Sequence, residues 1–202
     1  FKLKTTSSVW VIHAPLVVMT FISLSLSAGV RLQVLSWLGL VLIYFGYLQY
    51  REHNKVWPLW LWFIIFIIWA NLHNSLIFAA VVIFIIATLS LIFYGKKQGI
   101  YWFKVTFVAA LCTLLQPLGI KSHLEFVHIL GDSYKTHIAE WMPTTINHSQ
   151  GLILIISFTL FFISLLFISK ENLKKIDFVL LILFIILMLS GFMNIRNVPI
   201  AM

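Results

Sequence analysis

Long apolar runs separated by short polar stretches divide this chain. Seven stand out, at about 9–29, 32–50, 56–72, 75–94, 99–116, 151–169 and 176–193. A bilayer core about 30 Å thick takes roughly 20 apolar residues per helix, and each run is near that length. The runs 75–94 and 151–169 hold no charged residue. The run 99–116 carries Lys104 near one end, where a long side chain can snorkel to an interface. The run 9–29 carries His13 and Pro15 near its start. Trp57, Trp60, Trp62, Tyr101 and Trp102 fall near run ends, where interfacial aromatics gather. The runs are too long for barrel strands, and lipid leaves backbone groups to be satisfied within the segment, so the pattern predicts helices. The expected fold is all-α: a polytopic transmembrane helical bundle of about seven spans. One longer loop, 117–150, is expected outside the cytoplasm and carries short amphipathic helices.

Composition strengthens this picture. Of 202 residues, 61% are hydrophobic and 10% charged, whereas a soluble domain charges about a quarter of its residues. Membrane lipid is therefore the expected surroundings. A single cysteine, Cys112, excludes a disulfide scaffold and reads as packing within its span. The chain starts at Phe1 rather than Met and stops just after a new apolar stretch begins. It reads as one transmembrane region, 1–202, from a longer protein.

The net charge of +8 becomes informative once it is placed along the chain. Seven spans put Lys2, Lys4, Arg51, Lys55, Lys96, Lys97, Lys104, Lys170, Lys174 and Lys175 at one face. Arg31, Lys121, Lys135 and Arg196 go to the other. The positive-inside rule makes the richer face cytoplasmic, along with the start of the chain. The basic excess is then an orientation signal. No clustered basic domain exists for nucleic acid to bind.

The poorer face holds His73, His123, His128, His137 and His148, with Glu125, Asp132 and Glu140. Gln116-Pro117-Leu118-Gly119 ends the fifth run with turn residues. Leu124, Val127 and Leu130 then fall on one side of a helix, with Ser122, Glu125 and His128 opposite, as on a helix lying at a membrane surface. A second short helix over about 134–142 places His137 and Glu140 three apart, before Pro143. These histidines suit either a solvated connector or a shared metal or proton relay. No H-E-x-x-H, paired CxxC or GxSxG decides between them.

The tight turn Trp69-Ala70-Asn71-Leu72-His73-Asn74 gathers three uncharged polar groups at a membrane boundary, where each needs a partner. Either Asn71 and Asn74 cap two helix ends, or His73 faces a cavity shared with Glu140 and Arg196. Arg31 and Arg196 are each either a snorkelling anchor or a phosphate contact, since the guanidinium fork donates two parallel hydrogen bonds.

Five short motifs run in order. They are Arg31-Leu32-Gln33, Trp69-Ala70-Asn71-Leu72-His73-Asn74-Ser75-Leu76, Gln116-Pro117-Leu118-Gly119, Ile138-Ala139-Glu140-Trp141 followed by Pro143, and Arg196-Asn197-Val198-Pro199-Ile200. This series resembles the R-P-Q, W-A-N-L-H-G-G-F, N-P-Y-G, I-x-E-W and R-N-x-P-L-F motifs of large bacterial multi-pass membrane proteins similar to GT-C-type glycosyltransferases. It differs in having Asn74 and Ser75 for a glycine pair, Leu32 for a proline, and Gln116 and Leu118 for an asparagine and a tyrosine. A glycine pair permits close backbone or ligand approach, so the altered turn is expected to bind differently or not at all.

The resemblance implies a bacterial cytoplasmic-membrane protein of the cell envelope, an extracytoplasmic cavity and a polyprenyl-phosphate-linked sugar donor. A divalent metal is left open. Arg31 and Arg196 would hold the donor phosphate. Glu140, His73 and Asn71 would line the sugar or acceptor pocket, oriented by Trp69 and Trp141, with Gln33 and Asn197 as further motif contacts. The catalytic acid of such enzymes would lie before Phe1. The competing expectation is a non-catalytic transporter, flippase or assembly subunit for the same lipid-linked glycans. Against secondary transport stands the lack of duplicated broken helices and of an intramembrane acid for ion coupling.

Overall fold

A computed structural model describes residues 33–124, 149–166 and 177–193. These residues are helical apart from short connections: α1 Gln33–His53, α2 Leu59–Leu72, α3 Leu76–Tyr94, α4 Lys96–Leu114, α5 Ser149–Leu166 and α6 Phe178–Met193. Residues 120–124 are also helical. The predicted run 9–29 and most of the 117–150 loop lie outside the described residues.

Six of the seven predicted runs thus coincide with helices. Two differ in detail. The second described helix is shorter than its apolar run, because Pro58 stands at its N-cap in extended geometry and Asn54 takes a positive φ of 53°. Proline has no N–H to give a preceding turn and pushes the residue before it out of helical geometry. The remaining 14 residues span about 21 Å at 1.5 Å each. In α4 the helix begins at Lys96, earlier than the run. Lys104 is therefore an exposed residue about two turns inside the helix rather than near its end.

Among the described residues, α3 alone is long and apolar enough to cross a membrane by length and composition, and α2 and parts of α5 and α6 are shorter apolar helices. Large apolar side chains are exposed on every one of α1 to α4, among them Leu38, Trp60, Ile92 and Phe107.

The chain divides into two compact units, Val30–Asp132 and Phe1–Gly29 with Ser133–Met202. In the first, α3 and α4 pack along each other most extensively. Their close approach needs Gly99, where a Cβ would come within 2.6 Å of the Leu91 side chain. The α1–α2 contact follows a second rule. A Cβ on Gly39 would lie 2.1 Å from the Trp69 ring, and one on Gly46 would lie 2.6 Å from the Trp62 ring. The glycines are seven residues apart on α1 and the tryptophans seven apart on α2, so both pairs share one antiparallel register. Small residues that let helices approach closely are the usual device where lipid provides no hydrophobic drive between helices.

In the second unit, Phe161 of α5 meets Phe184 of α6 with ring centroids 4.2 Å apart. Asp177 lies just before α6, and its Oδ1 accepts the backbone N–H groups of Val179 (2.9 Å) and Leu180 (3.1 Å). That is an N-cap carboxylate, favoured further by the helix dipole.

Candidate functional site

The first unit has two chemically different ends. At the His53 end, α1 finishes, α2 begins, α3 finishes and α4 begins. Rings fill this end: Trp57 and Trp62 lie 5.0 Å apart, Trp62 and Phe66 5.4 Å, Trp62 and Trp102 5.9 Å, and Tyr50 and Tyr101 5.0 Å. The Trp62 indole donates to Tyr101 Oη at 2.7 Å, and Tyr101 Oη donates to the Trp57 carbonyl at 2.9 Å. The Arg51 guanidinium sits over the Tyr94 ring, 4.1 Å from its centroid, within range for a cation–π contact.

At the Gln33 end, uncharged polar side chains bond to one another among buried apolar ones. α2 stops because His73 turns to extended backbone, φ −156° and ψ 130°. Its backbone N–H still reaches the Trp69 carbonyl at 2.8 Å. The imidazole folds back over the turn, and Nδ1 accepts the backbone N–H of Ser75 at 3.2 Å. Ser75 is the N-cap of α3, and its carbonyl accepts the Ala79 N–H at 3.1 Å. Its hydroxyl oxygen accepts the Trp69 indole N–H at 3.0 Å and lies 2.5 Å from Ser36 Oγ on the first turn of α1. Ser36 Oγ in turn lies 3.0 Å from His73 Nδ1.

A second set of bonds starts from the turn after α4. Gln116 Nε2 donates to Asn74 Oδ1 at 3.4 Å and to Ser122 Oγ, whose hydroxyl donates to the Gly119 carbonyl at 3.0 Å. The turn that holds Gln116 in place closes through a Gly119 N–H bond to the Gln116 carbonyl at 2.9 Å, with Gly119 at φ +49°. A left-handed backbone there favours glycine.

These bonds link the neighbourhood of the first motif (Ser36, three residues after Gln33) with the second and third motifs. Trp69 is buried and is tied to Ser75. His73 is half-buried at the centre. Asn71 is exposed and spends its amide on the Ile67 carbonyl of its own helix at 2.8 Å, away from His73. Gln33 opens α1. Arg31, Glu140, Trp141, Arg196 and Asn197 lie outside the described residues, as does the His137–Glu140 pair. Among the described residues, no three His, Cys, Asp or Glu side chains gather as a metal site would require. Cys112 is buried, with Sγ 3.8 Å from the Phe63 carbonyl.

Sequence reasoning passed over Ser36 as a site residue. Its one signal is a hydroxyl inside an apolar run, a group that needs a partner there. Ser75 and Asn74 stand where the resembling motif carries glycines, and both put their side chains to use in this cluster. No protein family model matches the chain, and no curated protein or solved structure matches it either.

Proposed function

We propose that this chain is part of a multi-pass membrane protein of the GT-C-like type, with its helices as spans and the Gln33 end of the first unit on the extracytoplasmic side. There it would bind a polyprenyl-phosphate-linked sugar for transfer to an envelope acceptor. The observation that carries this reading is the meeting of the second and third motif stretches with Ser36, three residues after the first. Ser36 and Ser75 are 39 residues apart in sequence, and Asn74 and Gln116 are 42 apart, yet each pair is joined by a hydrogen bond, and the two sets of bonds adjoin at the Asn74–Ser75 peptide.

Two further features support it. Apolar side chains are exposed along α1 to α4, as lipid-facing helices require. The cations Arg51, Lys55, Lys96 and Lys97 collect at the His53 end, whereas Lys121 stands at the Gln33 end, which fits a cytoplasmic His53 end.

The test is transfer from a labelled polyprenyl-phosphate sugar by the full-length protein in vesicles. Arg196→Ala, Glu140→Gln and His73→Asn should each abolish transfer while membrane insertion stays intact. Unchanged transfer in all three would overturn the site. Binding of the donor by the wild type with no transfer to any acceptor would favour a flippase or assembly role instead. Orientation is tested separately with a membrane-impermeant maleimide on intact cells. Leu118→Cys should label at once, and Lys55→Cys only after permeabilisation. The reverse pattern would overturn the assignment of sides.

A further inference from the structure

α4 carries two faces of different make. The inward face holds Gly99, Trp102, Val105, Ala109, Cys112 and Thr113, all buried. The outward face is a narrow stripe. At about 100° per residue, Lys97, Ile100, Lys104, Phe107 and Leu111 fall within one arc of about 80°. All five are exposed, Phe107 to 70%.

The stripe is ordered along the helix axis. Both lysines lie toward the His53 end, and Phe107 and Leu111 follow them toward the middle of the helix. Lys97 and Lys104 are seven residues apart, about 10 Å along the axis. In an α-helix the Cα–Cβ bonds tilt toward the N-terminus. The stem of Lys104 therefore leads its ammonium toward Ile100 and Lys97, and away from Leu111. A cationic stretch is thus continuous with an apolar one on a single helix face.

We infer that this stripe is a binding site for an anionic phospholipid, with the phosphate held by Lys97 and Lys104 and an acyl chain lying along Phe107 and Leu111. Charge at this end calls for an anion. Arg51, Lys55, Lys96, Lys97 and Lys104 gather there, and Glu52 on α1 is the one acid among the described residues of this unit. Basic side chains just inside the end of a span are the usual means of holding a lipid headgroup. A helix of a partner protein fits the stripe less well. Helices that pack within lipid bring small residues together. The small residues of α4 are spent inward, Gly99 against Leu91 of α3 and Cys112 against the Phe63 carbonyl of α2. The stripe offers long side chains throughout. The site rests on the reading of α4 as a membrane span. It does not rest on the glycosyltransferase-like reading, and it lies at the end opposite His73.

The experiment uses the full-length protein and has two arms. In the first, native mass spectrometry in detergent compares binding of dioleoyl phosphatidylglycerol and dioleoyl phosphatidylcholine. The wild type should prefer phosphatidylglycerol. Lys104→Gln should weaken that binding about fivefold and Lys97→Gln with Lys104→Gln about twentyfold, while Lys104→Arg should keep it. Lys55→Gln removes one charge from the same end but off the stripe, and should weaken binding by less than about twofold. Equal losses in Lys55→Gln and Lys104→Gln would overturn the stripe in favour of diffuse attraction. In the second arm, Phe107→p-benzoylphenylalanine is irradiated in cells. An adduct of phospholipid mass is expected, and an adduct to another protein would overturn the lipid in favour of a partner helix. Alkaline carbonate washing of membranes separates this site from the reading beneath it. A wild type that stays in the washed membrane yet shows no preference for phosphatidylglycerol would overturn the site alone. A wild type released by the wash would overturn the span reading and the site with it.

Discussion

The two ends of the α1–α4 unit solve the same problem with opposite materials. Both must close a junction of four helix ends. At the His53 end closure is by volume: Trp57, Trp62, Phe66 and Trp102 pack ring against ring, and one phenol, Tyr101, satisfies the Trp62 indole and the Trp57 carbonyl. At the Gln33 end closure is by direction: small hydroxyls and one imidazole bond head to tail, and the Trp69 indole is the large group. Aromatic packing tolerates changes of angle, because dispersion is summed over many weak contacts. A hydrogen-bonded chain does not, since each member fixes the next one's donor and acceptor roles. A ligand site needs the second kind of junction and a structural anchor the first.

Substitutions can break this contrast. The largest effect is expected at the anchor. Trp62→Ala should cost about 3–5 kcal/mol, the range for removing a large buried aromatic, read by unfolding in mixed micelles, while the His73 15N signals keep their wild-type pattern. A lost His73 pattern would show that the two ends are one cooperative structure. Next come the glycines. Gly39→Ala and Gly46→Ala should each cost about 1–3 kcal/mol by overpacking. Only Gly39→Ala should also disturb the His73 signals, because it displaces the ring whose N–H reaches Ser75.

Ser75→Ala should cost about 1–3 kcal/mol, since it leaves the buried Trp69 indole without its acceptor. The His73 15N signals should keep their pattern, because the backbone N–H of residue 75 still reaches Nδ1. The smallest effect is expected for Gln116→Ala, about 0.5–1.5 kcal/mol, because its bond to Asn74 is long and exposed and the buried Ser122 hydroxyl keeps its bond to the Gly119 carbonyl. Hydrogen exchange should then speed up at the turn 116–119 and not at His73.

Helix positions were legible in the sequence because unbroken apolar runs of about 20 residues are too long for strands, and α1, α3 and α6 follow their runs to within a few residues. The trimmed start of α2 was written in Pro58, a signal that apolar counting ignores. Trp69 and His73 were legible as candidates because indole and imidazole are conspicuous beside an apolar run, and the hydrogen bonds place both beside Ser75. Ser36 and Ser75 were not, since a serine in a helix commonly bonds its own backbone and nothing in one segment says that another hydroxyl lies opposite. The pairing of Gly39 with Trp69 and Gly46 with Trp62 was hidden for the same reason: it depends on the register between two helices, which neither helix contains alone.

That register has a mechanical consequence. Two rings seven residues apart, seated over two gaps seven residues apart, key the helix pair against sliding. A slip by one turn, about 5.4 Å, would drive the rings off the gaps, in one direction onto Ile43 and Tyr50. α1 and α2 therefore cannot ratchet past each other to open the turn that holds His73. Any opening of that turn has to come from hinging at the turn itself, or from movement of elements other than this pair, with α1 and α2 travelling as one rigid bar.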